Sequence, residues 1–317
     1  MPLHLRVLAP LLAVLAAACT SLPDPAAPPA DLAIVGVNVI PMDAPGRVLA
    51  EHTVLIGDGR ILALGPAHET PVPEEARRIA GQGRWLIPGL ADMHVHLEHL
   101  PDPAILKLFL GHGVTQVPSM DGRPFVLEWR ERAARGELAG PRIVTAGPII
   151  DGSPPLRDDN LAVADAAGAR EAVIAQRRAG YDFVKLYTNL SAEAFRAAVE
   201  AASDAGMPVA GHVPREVALA EAIAAMDSIE HLTDFGDALD ARPPAEARPF
   251  HWSKLLLAQP IDLSKAEGVA ARLLAHGTWV VPTLAEPERR VGRPEDIRRW
   301  AALPEMRGVP ETALEFW

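Results

Sequence analysis

From Leu32 to Ile40 apolar residues alternate around valine and isoleucine, and apolar runs at 53–56 and 60–64 flank Gly57-Asp58-Gly59. A period of two is the pattern of a half-buried strand, and Asp-Gly between two such runs supplies residues that tolerate positive φ in a hairpin turn. Residues 31–65 therefore predict a small antiparallel sheet. After Trp85 the rhythm changes to short apolar runs, each followed by an alanine-rich stretch of helical length. Strands are predicted at 90–96, 114–120, 142–150, 183–187, 209–213, 228–232 and 279–284. Helices are predicted at 104–111, 125–135, 166–179, 191–205, 216–225 and 264–276, several closing on glycine as helix C-termini prefer.

Strand-then-helix repetition is the signature of parallel βα units, and the seven strands predict an α/β barrel of the TIM (β/α)₈ type that is one strand short. Residues 287–317 carry no further strand-like run. The connection 235–260 contains Pro243, Pro244 and Pro249, is longer than the others, and follows a strand end, where such barrels carry their binding loops.

The first residues read differently. Arg6 precedes an apolar stretch at 7–18 that is too short to span a bilayer stably but fits the core of an export signal, so residues 1–18 are expected to be removed. Cys19, the single cysteine, follows Leu15-Ala16-Ala17-Ala18, which resembles a bacterial lipoprotein cleavage box. Lipidation of Cys19 would make 19–30, rich in proline and alanine, a semi-rigid tether; the alternative is a plain secretory signal with a chance cysteine. Either way the expected location is the periplasm or cell envelope. A lipid anchor is then the one expected membrane contact, and a body without cysteine needs no disulfide framework.

Composition narrows the partners. With 49% hydrophobic and 22% charged residues the chain is an ordinary globular one, and a formal net charge of -11 with no basic run argues against nucleic acid or an anionic membrane surface.

Candidate chemistry falls at predicted strand ends. His94 and His96 stand two apart on the first barrel strand, so both side chains share a face, and converging imidazoles can hold a divalent metal; His-x-His also arises in surface strands. In Phe183-Val184-Lys185-Leu186-Tyr187 the same period puts Phe183, Lys185 and Tyr187 inside and turns Val184 and Leu186 toward the helices. A lysine inside a barrel is costly unless its charge is paired or removed. Two outcomes are open: a neighbouring carboxylate, or carboxylation by carbon dioxide to an anionic carbamate that bridges two cations. His212 and His231 end the next two strands, so four histidines and a lysine fall in successive barrel order. His99, His112 and His276 fall in predicted loops or helices and are left outside the site. Tyr187 could contact substrate or fill the core. Arg215 could contact a substrate carboxylate or be an exposed arginine beginning a helix.

Ile87-Pro88-Gly89-Leu90-Ala91-Asp92-Met93-His94-Val95-His96 resembles the first-strand signature of the amidohydrolase superfamily. Gly57-Asp58-Gly59-Arg60-Ile61 resembles the hairpin of that superfamily's small β-sandwich domain, and the subgroup most similar is the imidazolonepropionase-like and Xaa-Pro dipeptidase-like one. The resemblance implies a β-sandwich part at 31–84 and a hydrolase barrel at 85–317. It implies that His94 and His96 bind one metal, that Lys185 as carbamate bridges two, and that His212 and His231 bind the second. Two divalent ions, usually zinc, would share a hydroxide that attacks an amide or dipeptide bond in a small-molecule or short-peptide substrate.

The family's eighth-strand aspartate has no counterpart here, since the one aspartate after Leu284 is Asp296, in what reads as a helix start. Seven strands leave two barrel edges unpaired, so the expectation is a truncated or fragmentary product, poorly stable or dependent on another chain; a homo-oligomer is a separate expectation. Val213-Pro214-Arg215 departs from the tyrosine that dipeptidase-like members carry after the fifth-strand histidine. Alternatives are a lactone, cyclic amide or phosphoester hydrolase, and a noncatalytic, membrane-tethered binding protein that keeps its metals.

Overall fold

A computed structural model describes residues 30–232, 234–241, 261–284, 294–304, 306 and 309. The expected export signal, Cys19 and nearly all of the tether lie outside the described residues, as does most of the 235–260 connection. The chain divides into two compact units, Met1–Pro88 and Gly89–Trp317.

The first unit is one sheet of strands β1 (Leu32–Val39), β2 (Leu49–Gly57), β3 (Arg60–Pro66), β4 (Arg77–Ala80) and β5 (Trp85–Leu86), ordered β3-β2-β1-β4 with β5 also paired to β1. Gly57 pairs with Arg60 across a two-residue turn in which Asp58 and Gly59 have φ of 50° and 69°, the geometry that Asp-Gly favours. Strands β1, β2 and β3 pair antiparallel, as expected for 31–65, whereas β4 and β5, beyond that stretch, both run parallel to β1. The physical reason is the connection after β3, residues 67–76, which is long enough for the crossover that a two-residue turn cannot make. Val37, Val39 and Val54 form its core, with Ile34, Leu49, Ile56 and Leu86 against them.

The second unit is a TIM-barrel-like α/β array. Its strands are β6 (Leu90–Ala91), β7 (Val114–Ser119), β8 (Arg142–Thr145), β9 (Ile150–Asp151), β10 (Leu161–Ala162), β11 (Val184–Leu186), β12 (Val209–Gly211), β13 (Ser228–Glu230) and β14 (Trp279–Val281). Between them lie α1 (Ile105–Gly111), α2 (Pro124–Ala134), α3 (Ala166–Ala179), α4 (Ala192–Asp204), α5 (Leu219–Ala225), α6 (Phe235–Ala238) and α7 (Ala266–His276), and α8 (Pro294–Ala301) follows. Every strand pair here is parallel, in two sheets ordered β6-β7-β8 and β10-β9-β11-β12-β13-β14, and a parallel bridge between Ala146 and Phe183 links them. Among the described residues no pairing joins β14 to β6, so these strands do not close a cylinder.

The predicted strand 142–150 splits at Gly147-Pro148 into β8 and β9, since proline has no N–H for the ladder, and the Pro148 carbonyl instead accepts from Gln176 Nε2 at 2.7 Å. The short β10 and α6 were not expected. Helices start and stop on local chemistry: Asp165 caps α3 by accepting from Gly168 N at 2.8 Å, Gly180 ends it at φ 90°, and Ser191 caps α4 through Ala194 N at 3.1 Å.

Burial follows the period of two. Val184, Leu186 and Ile229 turn outward into a core shared with Val173, Phe195 and Ala198, while Phe183 turns inward to Met120, Ala146 and Ala210. At roughly 1.5–3 kcal/mol per large apolar side chain fully buried, the outer core holds strands and helices in register. That register places the strand ends described next.

Candidate functional site

His94 and His96 follow β6 on the face opposite Val95, whose side chain joins the outer core while its backbone bridges Ser119. Their ring centroids are 5.3 Å apart. His231 lies 4.7 Å from His94 and 4.9 Å from His212, and Tyr187 stands 4.1 Å from His212. The structure thus brings all four predicted histidines and Tyr187 into one continuous group. Lys185 belongs to the same region: it is 1% exposed, and electrostatic contact ties it to His94, His212 and Glu230.

Local backbone explains how these side chains get there. Gly211 precedes His212 at φ 155°, and a Cβ at that position would stand 2.2 Å from the Leu186 carbonyl oxygen, so only glycine lets β12 press against β11 there. His231 has φ 68°, uncommon for a residue other than glycine. In an unbroken strand Glu230 and His231 would face opposite sides; the left-handed residue turns both toward His94.

Each imidazole is held at Nδ1. His94 Nδ1 donates to Glu230 Oε2 at 2.5 Å and His96 Nδ1 to Glu98 Oε1 at 2.5 Å. His212 Nδ1 is hydrogen-bonded to Thr188 Oγ1 at 3.0 Å, and His231 Nδ1 to Thr283 Oγ1 at 2.6 Å. A ring anchored through Nδ1 meets a cation with Nε2, and the anchor fixes its tautomer and orientation.

Electrostatics favour neutral ligands. Burial lowers the His94 pKa from 6.5 to about 4 against the opposing pull of the Glu230 hydrogen bond, and burial followed by the Lys185 charge lowers His212 well below its ordinary value. Burial also brings the Lys185 amine from 10.5 to about 8, with Glu230 and Asp234 opposing. At pH 7 an amine of that pKa is neutral about one time in ten, against roughly one in three thousand at the ordinary value, and the neutral amine is the form that reacts with carbon dioxide. Its Nζ has no hydrogen-bond partner among the described residues.

Several residues at this site were not singled out in the sequence. Glu230 is wholly buried and accepts from both His94 and Ser228 Oγ. His99, expected to lie outside, stacks on His96 at 5.2 Å, because Leu97–His99 forms a 3-10 turn that swings it back. One ligand atom each from His96, Glu98 and His99 lie within 4.8 Å of one another, a grouping that could hold a metal ion. Asp121, pushed up to about 6 by burial and the Glu98 charge, pairs with Arg123 at 2.7 Å. A strand-end reading could have found Asp121, two residues past the end of β7, but Glu98 and the two threonines carry no sequence signal. Arg215 is exposed and does not begin a helix: α5 starts at Leu219, after a turn in which the Arg215 N–H donates to the Thr188 carbonyl at 3.0 Å.

Parallel βα units that gather four imidazoles and a buried lysine are an arrangement suited to a metal-dependent hydrolase. The Amidohydrolase family matches residues 85–306, most of the chain, and the protein belongs to that family of generally metal-dependent hydrolases. Imidazolonepropionase from Methylobacterium sp. (strain 4-46) is 44% identical over 62 residues, which are 19% of this chain and 16% of that relative; the curated relatives are therefore matched over a small part of their length. Among solved structures, a putative prolidase from Bifidobacterium longum superposes with a TM-score of 0.58 at 22% identity, over 90% of this chain and 77% of its own. Bottromycin amidohydrolase gives 0.61 at 25% identity, over 86% and 57%.

Proposed function

We propose that this chain hydrolyses an amide or dipeptide carbon–nitrogen bond in a small substrate, with two divalent metals held by His94, His96, His212, His231 and a carboxylated Lys185. The observation that carries the reading is the Nδ1 anchoring of all four imidazoles around a buried amine that has no hydrogen-bond partner among the described residues. A structural role would leave such an amine paired, because an unpaired buried charge costs several kcal/mol. A carbamate there has a reason to exist: it replaces a cation among imidazoles with an anion suited to cations. Bound metals, zinc being the expected ion, lower the proton affinity of water and so supply a nucleophile at neutral pH.

The chain's own residues do the rest. Glu230, Thr188 and Thr283 orient the rings of His94, His212 and His231, and the depressed pKa values keep His94 and His212 neutral at pH 7. To Tyr187, beside His212 and within electrostatic reach of Arg157, we assign contact with substrate. The amide class draws support from family membership and from the prolidase and amidohydrolase neighbours. The proposal includes a hydrolase barrel unit at 85–317 and a small β-sandwich part at 31–84. It also includes export to the cell envelope with Cys19 as lipid anchor, for which the apolar stretch at 7–18 is the support.

The test is to express the full chain, measure zinc content, record a ¹³C carbamate signal after labelling with bicarbonate, and assay a dipeptide panel beside lactones and a phosphotriester. Two zinc ions, a carbamate resonance and dipeptide turnover are expected; lactone turnover without peptide cleavage would overturn the amide reading.

A further inference from the structure

Glu98 is a carboxylate with no assigned role in an expensive position. Its side chain is 5% exposed, Oε1 accepts from His96 Nδ1 at 2.5 Å and stands 3.5 Å from His99 Nε2, and Oε2 is buried with no hydrogen-bond partner among the described residues. An unpartnered buried acceptor costs about 1–3 kcal/mol, more when charged, so the position is not explained by stability alone. The turn that carries it is rigidly seated: Leu97, 2% exposed, packs into the outer core with Leu106 and Val117.

Two uses fit this geometry. Glu98 could bind a cation directly with His96 and His99, whose ligand atoms lie near enough. Two ligands at about 2.0–2.2 Å from one tetrahedral ion, however, stand roughly 3.3–3.5 Å apart. The 2.5 Å between Glu98 Oε1 and His96 Nδ1 is a hydrogen-bond distance and leaves no room for an ion between them. The same arrangement recurs at His94, where buried Glu230 accepts from Nδ1 at the same distance.

We propose that Glu98 is a positioning residue, which by accepting the Nδ1 proton of His96 fixes that ring's tautomer and rotamer and makes Nε2 the ligating atom. The proposal rests on the metal site assigned under Proposed function. It gives the first-strand pair two carboxylate anchors from different places, Glu98 two residues along the same segment and Glu230 on β13. Charged acceptors at Nδ1 make both rings better donors to a cation than the threonine-anchored His212 and His231.

The experiment is a competition titration of the full chain with zinc alone, in wild type, Glu98→Ala, Glu98→Gln and His96→Ala. Glu98→Ala is expected to weaken binding of one zinc about 10–100-fold, Glu98→Gln less because the amide oxygen still accepts, and His96→Ala most. In parallel, the ¹⁵N imidazole pattern of His96 in the zinc-loaded wild type is expected to show a protonated Nδ1, a readout that needs no variant to fold. Wild-type affinity in folded Glu98→Ala, or a zinc-ligated Nδ1, would overturn the role of Glu98 while leaving the metal site standing. Absence of zinc binding in the wild type would overturn both.

Discussion

His94 Nδ1 and Glu230 Oε2 stand 2.5 Å apart although 136 positions separate them in the chain, and the Glu230 side chain is wholly shielded from solvent. Burial works against the charge of Glu230, yet Lys185 and the His94 hydrogen bond hold it below the usual carboxylate range. Its replacement by alanine strips the partner from a buried network. Glu230→Ala is expected to cost roughly 3–5 kcal/mol, and Glu230→Gln less, since an acceptor remains for His94. Urea unfolding midpoints of the full chain check this; a loss below about 1 kcal/mol for the alanine variant would show that the network contributes little.

Acid should unfold the metal-free chain through its neutral histidines. An unfolded histidine titrates near 6.5 and folded His94 at about 4, so between those values the unfolded chain binds more protons. The contribution is complete above pH 6.5 and is lost as pH falls toward 4, a loss of roughly 3 kcal/mol from a shift of this size. His212, depressed in the same direction, steepens the fall. Unfolding free energies measured across this window should decline less in His94→Asn than in wild type.

Lys185→Met tests the cost of the buried amine. Folding holds its pKa at about 8 instead of 10.5, so the folded state resists a proton that the unfolded state takes, and the penalty accumulates as pH falls from 10.5 to 8. Its full size, roughly 3 kcal/mol, bounds what methionine can regain at pH 7, and the gain is smaller because Glu230 loses a nearby cation. Free of metal, the variant is expected to melt a few degrees higher; supplied with zinc and bicarbonate, it is expected to lack the carbamate signal and the second zinc. A lower melting temperature would place Lys185 among the residues that hold the fold.

Asp151 makes a prediction outside the site. Wholly buried, it accepts from the backbone N–H of Gly152, Leu156 and Asn189 and from Asn160 Nδ2, at 2.6–3.1 Å. It ties the loop between β9 and β10 to the residues after β11. Hydrogen bonds to a charged group contribute about 1.5–3 kcal/mol each and do not add in full, so Asp151→Ala should destabilise by about 3–5 kcal/mol. Thermal unfolding would check it, and Asp151→Asn should recover little, since one side of an amide cannot accept.

What could be read along the chain was whatever depends on local pattern. Asp58-Gly59 declared its turn, Asp165 and Gly180 bounded α3, and alternation across 183–187 separated Phe183 and Lys185 from Val184 and Leu186. Strand-end histidines were visible because composition and period coincide there. Glu230 was hidden by the same rule, since strict alternation sends it away from His231, and only the left-handed φ at His231 reconciles the two. His99 has no place in the sequence pattern because a loop residue has no period, whereas the 3-10 turn after His96 gives it one. The parallel pairing of β4 and β5 with β1 depends on a crossover whose direction no local pattern encodes.

Thr188 follows β11 but anchors a ring at the end of β12, Thr283 follows β14 but anchors one beside β13, and Glu230 on β13 anchors one beyond β6. Three imidazoles thus take their aim from a neighbouring or distant segment and not from their own. A slip of one residue between any of these segments would carry the anchor to the opposite side and let its ring swing. The aim of the rings thus reports on the alignment of the whole array, and the cation binding proposed above would be open only to molecules whose segments have met in register.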